Sequence, residues 1–166
     1  MVWLLWRTHF AVGLLSGTGL ATLLHGDPLV FTGAAGLASL LPDIDSPRSF
    51  LGRKVLPVSV TLDATVGHRG FLHSVMGLVV FCAALGFALR SWPGFVYGVL
   101  PAVAVGYLSH LLLDALNPGG VPLLWPSKKR FSLRVCRVGS LAERILSIPL
   151  LLVAGYVILK VVVIRL

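Results

Sequence analysis

Two ionisable residues, His110 and Asp114, interrupt an otherwise apolar stretch in GYLSHLLLDALNPGG. They are four residues apart, so in a helix they lie on one face, about one turn from each other. An ionised side chain in a membrane helix costs about 2.5–3.5 kcal/mol on insertion scales, so it is rarely there without a partner. An imidazole and a carboxylate in this arrangement suit a shared metal ion. A structural His–Asp pair between helices is the alternative.

Further imidazole and carboxylate groups lie near the ends of other apolar stretches. These groups are His9 in RTHF, Asp43 and Asp45 in LLPDIDSP, His68 and His73 in GHRGFLHS, and Glu143. Zinc, manganese and iron accept such nitrogen and oxygen ligands, and neither Cys82 nor Cys136 implies a thiolate site. The set predicts one or two divalent ions, most simply zinc. Taken singly, each group has a plainer interpretation, such as an interfacial histidine or an aspartate in a turn before proline.

The elements that must position these groups are predicted to be membrane helices. The chain of 166 residues is 57% hydrophobic and only 12% charged, which is typical of a membrane protein. A span needs about 20 mostly apolar residues, and the candidates are residues 1–24, 28–42, 71–89, 94–116 and 141–164. We therefore expect a single all-α domain over residues 1–166, a polytopic bundle of about five membrane segments.

Charge indicates the orientation of this bundle. Basic residues are concentrated in the loop before segment 71–89 and in the loop before segment 141–164. The positive-inside rule then places the N-terminus, both basic loops and every candidate ligand on the cytoplasmic side of an inner membrane, with the C-terminus outside. Because topology explains the basic loops, we do not expect nucleic-acid binding.

This convergence requires segment 28–42 to cross the membrane, since a re-entrant loop there would scatter the ligands. A weak internal repeat supports two related halves: LLPDIDSP at 40–47 and LLLDALNP at 111–118 share a pattern, and each closes a segment pair that opens with a histidine. The repeat predicts two duplicated helical hairpins followed by a C-terminal helix, with a metal between the halves.

Together, RTHF, LLPDIDSP, GHRGFLHS and GYLSHLLLDALNPGGVPLLWP resemble a family of prokaryotic inner-membrane proteins described as LexA-binding, metal-dependent hydrolases. The family is distantly similar to zinc-dependent phospholipase C and single-strand nucleases. The positions that match their zinc-ligand pattern are His9, Asp45 or Asp43, His68, and His110 with Asp114. The resemblance implies a hydrolase with one or two metal ions, because five histidines are too few for a full three-metal site.

The function expected from these residues is phosphoester hydrolysis on a phospholipid or lipid-linked substrate at the cytoplasmic face. Asp43 or Asp45, whichever is not a ligand, is expected to act as general base or to orient water. Arg69 is expected to clamp the phosphate, and Glu143 to ligate the metal or support a ligating histidine. The alternative is a non-catalytic membrane adaptor with a structural metal, which docks a cytoplasmic protein partner. A transporter is disfavoured because the ionisable groups cluster on one side.

Overall fold

The computed structural model describes residues 3–67, 69–135 and 140–164, without the side chains of residues 3–5, 142–144, 146 and 162–164. Within these residues the chain forms six α-helices and no strand, so the all-α prediction is confirmed. The helices are α1 (Trp3–Leu24), α2 (Pro28–Ala38), α3 (Leu56–Val66), α4 (Val75–Ala88), α5 (Pro93–Ala115) and α6 (Leu141–Ile164). Three short 3-10 turns, Pro42–Asp45, Gly52–Val55 and Phe71–His73, connect them.

Helix α2 lies between α1 and α5 and packs closely against both. A Cβ atom on Gly17 of α1 would lie 2.4 Å from the carbonyl oxygen of Phe31, and one on Gly106 of α5 would lie 2.1 Å from that of Ala35. Only glycine fits at such distances, and close backbone approach between small residues is typical of helices that associate in a membrane. Helix α6 packs on α1, and α4 packs on α5.

The turn before α2 directs the chain back along α1. Asp27 caps α2 by accepting hydrogen bonds from the amides of Leu29 and Val30, at 2.9 and 3.1 Å, and Pro28 occupies the first turn, where its missing N–H costs nothing. The 11 residues of α2 rise about 16 Å. The helix is therefore shorter than the hydrocarbon core, yet it ends beside the start of α1.

By length and composition, α5 is the one helix among the described residues that could cross a bilayer. Helix α4 and the segment Ser147–Val161 of α6 are apolar but shorter. The bundle of five spans therefore stays a prediction. The duplication of a helical hairpin also stays a prediction. The two helix pairs are unequal in length: α1 and α2 have 22 and 11 residues, whereas α4 and α5 have 14 and 23.

Both basic loops contain structure that hydropathy did not predict. In the first, residues 56–66 form α3, which packs against the 3-10 turns Pro42–Asp45 and Gly52–Val55. This helix is too short to register as a span. In the second loop, Val121 and Phe131 form an antiparallel bridge.

Candidate metal centre

Ionisable side chains from four parts of the chain meet at one end of the bundle, where α2 and α5 end and where α1 and α4 begin. Five of them are almost fully buried: His9 (4% exposed), Asp45 (0%), His73 (0%), His110 (0%) and Asp114 (1%). Charged groups are buried at this level only when they are paired or coordinate a metal.

His73 lies in the 3-10 turn before α4, and its two ring nitrogens have different neighbours. Nδ1 is 3.0 Å from Oδ2 of Asp45. Because this carboxylate accepts a hydrogen bond, we assign the tautomer in which Nδ1 carries the hydrogen. The Tyr107 hydroxyl donates to the Leu72 carbonyl and so holds the turn. A carboxylate behind a histidine in this way is the usual support of a metal-ligating imidazole.

His110, on α5, is held in the same manner by the backbone. Its Nδ1 lies 2.7 Å from the carbonyl oxygen of Ser39, which can only accept, so Nδ1 carries the hydrogen. The Nε2 atoms of His110 and His73 then face each other at 3.3 Å. Two neutral imidazoles in these tautomers would oppose lone pairs, so the arrangement requires a proton or a metal cation between them.

Two carboxylate oxygens complete this group. Oδ1 of Asp43 lies 3.8 Å from Nε2 of His73 and 3.9 Å from Nε2 of His110. Oδ2 of Asp114 lies 3.6 and 3.7 Å from the same two nitrogens. Tetrahedral coordination with bonds of about 2.0–2.1 Å separates ligand atoms by about 3.3–3.5 Å. Each oxygen therefore needs to move only slightly toward the two nitrogens to share an ion with them, and Asp43, His73 and His110 form a candidate metal-binding group.

His9 lies against the other side of His110. The two rings stack with centroids 3.9 Å apart and planes 20° apart, and Nε2 of His9 is 3.8 Å from Oδ1 of Asp114. His9, His110 and Asp114 form a second candidate group that shares His110 with the first. Among the described residues, Nδ1 of His9 is buried without a hydrogen-bond partner. An orphan of this kind marks a site whose polar groups are not all satisfied by protein.

Arg69 contacts the same carboxylate from the solvent side. Its Nη2 donates to Oδ1 of Asp114 at 3.1 Å, and its backbone has a φ of 57°, which is unfavourable for a residue other than glycine and is often found at functional sites. The side chains of Arg69 and Asp43 are each 20% exposed. They therefore form the side of the centre that solvent can reach.

Neighbouring charges and hydrogen bonds shift the pKa values of Asp43 and His73, which lie in 3-10 turns outside the α-helices. Burial alone would raise the pKa of Asp43, but the interaction with His110 and a hydrogen bond from His73 outweigh it and hold this pKa below its usual value. Burial alone would lower the pKa of His73, but the carboxylates of Asp43 and Asp45 outweigh it and raise this pKa to about 9. Without a metal, a proton on His73 fills the space between the nitrogens at neutral pH.

The structure brings together most of the predicted site residues. One connected cluster contains His9, Asp43, Arg69, His73, His110 and Asp114. Asp45 instead lies behind His73 and faces its Nδ1. His68 and the side chain of Glu143 lie outside the described residues.

Sequence reasoning missed two supporting groups, the Ser39 carbonyl and Tyr107. A backbone acceptor such as Ser39 leaves no signal in residue type. A tyrosine three residues before His110, in an apolar helix, could have been recognised as a polar group that needs a partner.

Fold and site together define a helical membrane protein with a buried histidine–aspartate centre at one end. The YdjM inner membrane protein family matches residues 4–165. The chain therefore belongs to this family, and two similar proteins of Escherichia coli are named inner membrane proteins.

Similar proteins occur in two different bacteria. Inner membrane protein YdjM of Escherichia coli is 41% identical over 132 residues, which cover 77% of this chain and 66% of that protein. The uncharacterized protein YvsG of Bacillus subtilis is 30% identical over 151 residues, 90% of this chain and 91% of YvsG. This chain thus spans about two thirds of the length of the E. coli protein. No solved structure matches the chain, and the relatives' names state no reaction.

Proposed function

We propose that this protein is a membrane-embedded, metal-dependent hydrolase that acts on phosphoester bonds of a phospholipid or lipid-linked substrate at the cytoplasmic face. The observation that supports it most is the pair of facing Nε2 atoms of His73 and His110, 3.3 Å apart. Each imidazole is fixed from behind by an acceptor, and two carboxylate oxygens lie beside the pair.

The ion would be held by Nε2 of His73 and of His110, Oδ1 of Asp43 and Oδ2 of Asp114. Two nitrogen and two oxygen donors suit zinc, manganese or iron. One ion is the simplest occupancy: Nδ1 of His110 is bonded to Ser39, so His110 offers a single nitrogen to both candidate groups. His9 is a further ligand if the coordination exceeds four. His68 and Glu143 stay predicted donors.

A divalent ion bound in such a site would supply hydroxide at neutral pH and would polarise a phosphoryl oxygen. The residues around it would orient the reactants. The lowered pKa of Asp43 makes this carboxylate a weak proton acceptor, so we assign it the orientation of water rather than general-base catalysis. Asp45 would act through His73, by fixing the imidazole.

Arg69 would bind the substrate phosphate from the exposed side of the centre. A guanidinium carries five N–H donors in a planar fork, so the bond to Asp114 is compatible with a second bond to phosphate. This cation would also stabilise negative charge that develops on the phosphoryl group. The cytoplasmic placement follows from the two basic loops.

The test is hydrolysis by the purified protein in vesicles of phosphatidate and of phosphatidylglycerol, with and without a chelator. We expect release of phosphate or of a phosphorylated head group that chelation abolishes and that His110→Ala abolishes. His25→Ala is the matched control, because His25 is exposed at the opposite end of the bundle. Turnover that is unchanged by chelator and by His110→Ala would refute the proposal.

A non-catalytic adaptor with a structural metal is favoured by one observation: His9, His73, His110 and Asp114 are nearly inaccessible. Structural sites are closed by protein ligands, whereas catalytic sites keep a position open. In that case the metal would hold the helices together while a basic loop docks a cytoplasmic protein. The resemblance to a family described as LexA-binding suggests LexA as this partner. Bound metal and metal-dependent stability, without turnover on either lipid, would select this function.

A further inference from the structure

Residues 117–135 of the loop between α5 and α6 form a hydrogen-bonded hairpin, which we call the basic hairpin. The amides and carbonyls of Val121 and Phe131 bond to each other at 3.0 and 2.9 Å. The amides of Leu133 and Val135 donate to the carbonyls of Ala115 and Leu116, at 2.7 and 2.9 Å. These bonds satisfy carbonyls that the end of α5 would otherwise leave without partners.

The basic hairpin is also attached to the start of α4. The amide of Val75 donates to the carbonyl of Leu123 at 3.0 Å, and the rings of Phe71 and Trp125 meet edge to face with centroids 5.2 Å apart. Since α5 is long and apolar enough to cross a bilayer, its last residues lie where it leaves the hydrocarbon. The basic hairpin is therefore held at the boundary between lipid and water.

The side chains of the basic hairpin combine two properties that suit this boundary. Large apolar groups are exposed, namely Leu124, Trp125, Phe131, Leu133 and Val135. Basic residues lie between them in the sequence, namely Lys128, Lys129, Arg130 and Arg134, and the sequence of 117–135 contains no acidic residue. The positive-inside rule accounts for the charges, but it does not account for the exposed apolar side chains. A lipid interface accommodates both.

The cationic surface continues from the basic hairpin to the metal centre. Nη1 of Arg130 donates to the carbonyl of Gly119 at 3.4 Å. A Cβ atom on Gly119 would lie 3.2 Å from Nη1 of Arg69. Both guanidinium groups thus reach the same glycine, and Arg69 contacts Asp114 of the centre.

We propose that the basic hairpin is a docking surface for anionic phospholipid, with its apolar side chains among the acyl chains and Lys128, Lys129 and Arg130 on the lipid phosphates. Docking itself depends only on this surface. The role of docking, which is to supply anionic head groups to the metal centre beside Arg69, rests on the proposed hydrolase function.

The test places an environment-sensitive fluorophore on Ser127→Cys, in a background with Cys82→Ser and Cys136→Ser. The full chain is reconstituted in nanodiscs of phosphatidylcholine alone or mixed with phosphatidylglycerol. We expect a blue-shifted emission and quenching by spin-labelled lipid that increase with phosphatidylglycerol and decrease with salt. Each basic residue near an anionic surface contributes a factor of about five in binding. Lys128→Glu with Lys129→Glu should therefore lower the apparent affinity for phosphatidylglycerol, read from the dependence of the emission on its fraction, at least about 25-fold.

Two controls separate docking from general charge effects. Arg48→Glu with Lys54→Glu makes the same change in net charge elsewhere and should leave the response intact. A fluorophore on Ser91→Cys, at the opposite end, should not respond to phosphatidylglycerol. A fluorophore at residue 127 that stays in water in both nanodiscs would overturn the proposal and favour a protein partner. A response that survives charge reversal would overturn it as well.

The measurement is independent of turnover. The fluorophore should respond equally with and without chelator. Failure of the hydrolase assay therefore leaves the docking result intact, and failure of docking leaves the metal centre intact.

Discussion

The two ends of the helix bundle treat ionisable groups in opposite ways. At the end that contains His73 and His110, histidines and carboxylates are buried and bonded to each other. At the other end, His25, Asp27 and Arg90 are exposed in short turns. Water solvates the second set, whereas only a proton or a metal ion balances the first. The asymmetry is typical of a reaction or binding centre at one membrane face, and it disfavours a path through the bundle.

Metal removal should have the largest effect on the buried end. A ligand present at a thousand times its Kd stabilises a fold by about 4 kcal/mol, so chelation should lower the free energy of unfolding by about that amount. Thermal unfolding in detergent, with and without chelator, measures this loss. The loss should be absent in His110→Ala with Asp114→Ala and retained in His25→Ala. An equal loss in all variants would place the metal elsewhere.

Removing the support behind His73 should have a smaller effect. Asp45→Asn keeps the volume but weakens the acceptor of the Nδ1 hydrogen bond, and such changes lower metal affinity about 10- to 100-fold. Metal titration by calorimetry measures the difference. Asp63→Asn, on the exposed helix α3, is the matched control and should bind metal with unchanged affinity. If Asp45→Asn binds no metal at all, Asp45 is itself a ligand.

Metal affinity should depend on pH, because metal replaces the proton on His73. With its pKa raised to about 9, His73 is protonated in the metal-free protein at neutral pH. Affinity should therefore increase about tenfold per pH unit up to about pH 9. Conversely, the stability that this proton gives the metal-free fold is complete below pH 6.5 and is lost as pH rises through about 9. Calorimetry in buffers of different ionisation enthalpy should show one proton released per ion; no release would contradict this account.

A substitution at the opposite end of the bundle should change the free energy of unfolding only slightly and should leave metal binding unchanged. Asp27→Ala removes the cap of α2 and should cost about 1 kcal/mol. Metal affinity and its pH dependence should not change, because Asp27 is at the far end of α2 from Ser39. Asp27→Asn, which retains a capping side chain, should restore the stability. A loss of metal binding in Asp27→Ala would show that the two ends are coupled.

The sequence predicted the helices and the gathering of ligands better than the role of each ligand. Apolar runs located α1, α2, α4, α5 and α6, and the spacing of His110 and Asp114 placed both on one helix face. The choice between Asp43 and Asp45 depends on the 3-10 turn Pro42–Asp45, which directs one carboxylate to the imidazole Nε2 atoms and the other to Nδ1 of His73. Turn geometry of this kind has no periodic signal.

The missed features have similar causes. Helix α3 has only 11 residues, which is too few to be recognised as a membrane span from the sequence. The Ser39 carbonyl is a backbone group, and the pairing of Val121 with Phe131 is a single bridge rather than a strand. Each depends on tertiary contacts that become visible only once the helices are packed.

The most direct test is a crystal structure with anomalous scattering measured at the absorption edge of the bound metal. We predict one peak about 2.0–2.2 Å from Nε2 of His73, Nε2 of His110, Oδ1 of Asp43 and Oδ2 of Asp114. A protein that carries stoichiometric metal at any other position, or whose two imidazoles point away from each other, would contradict the account.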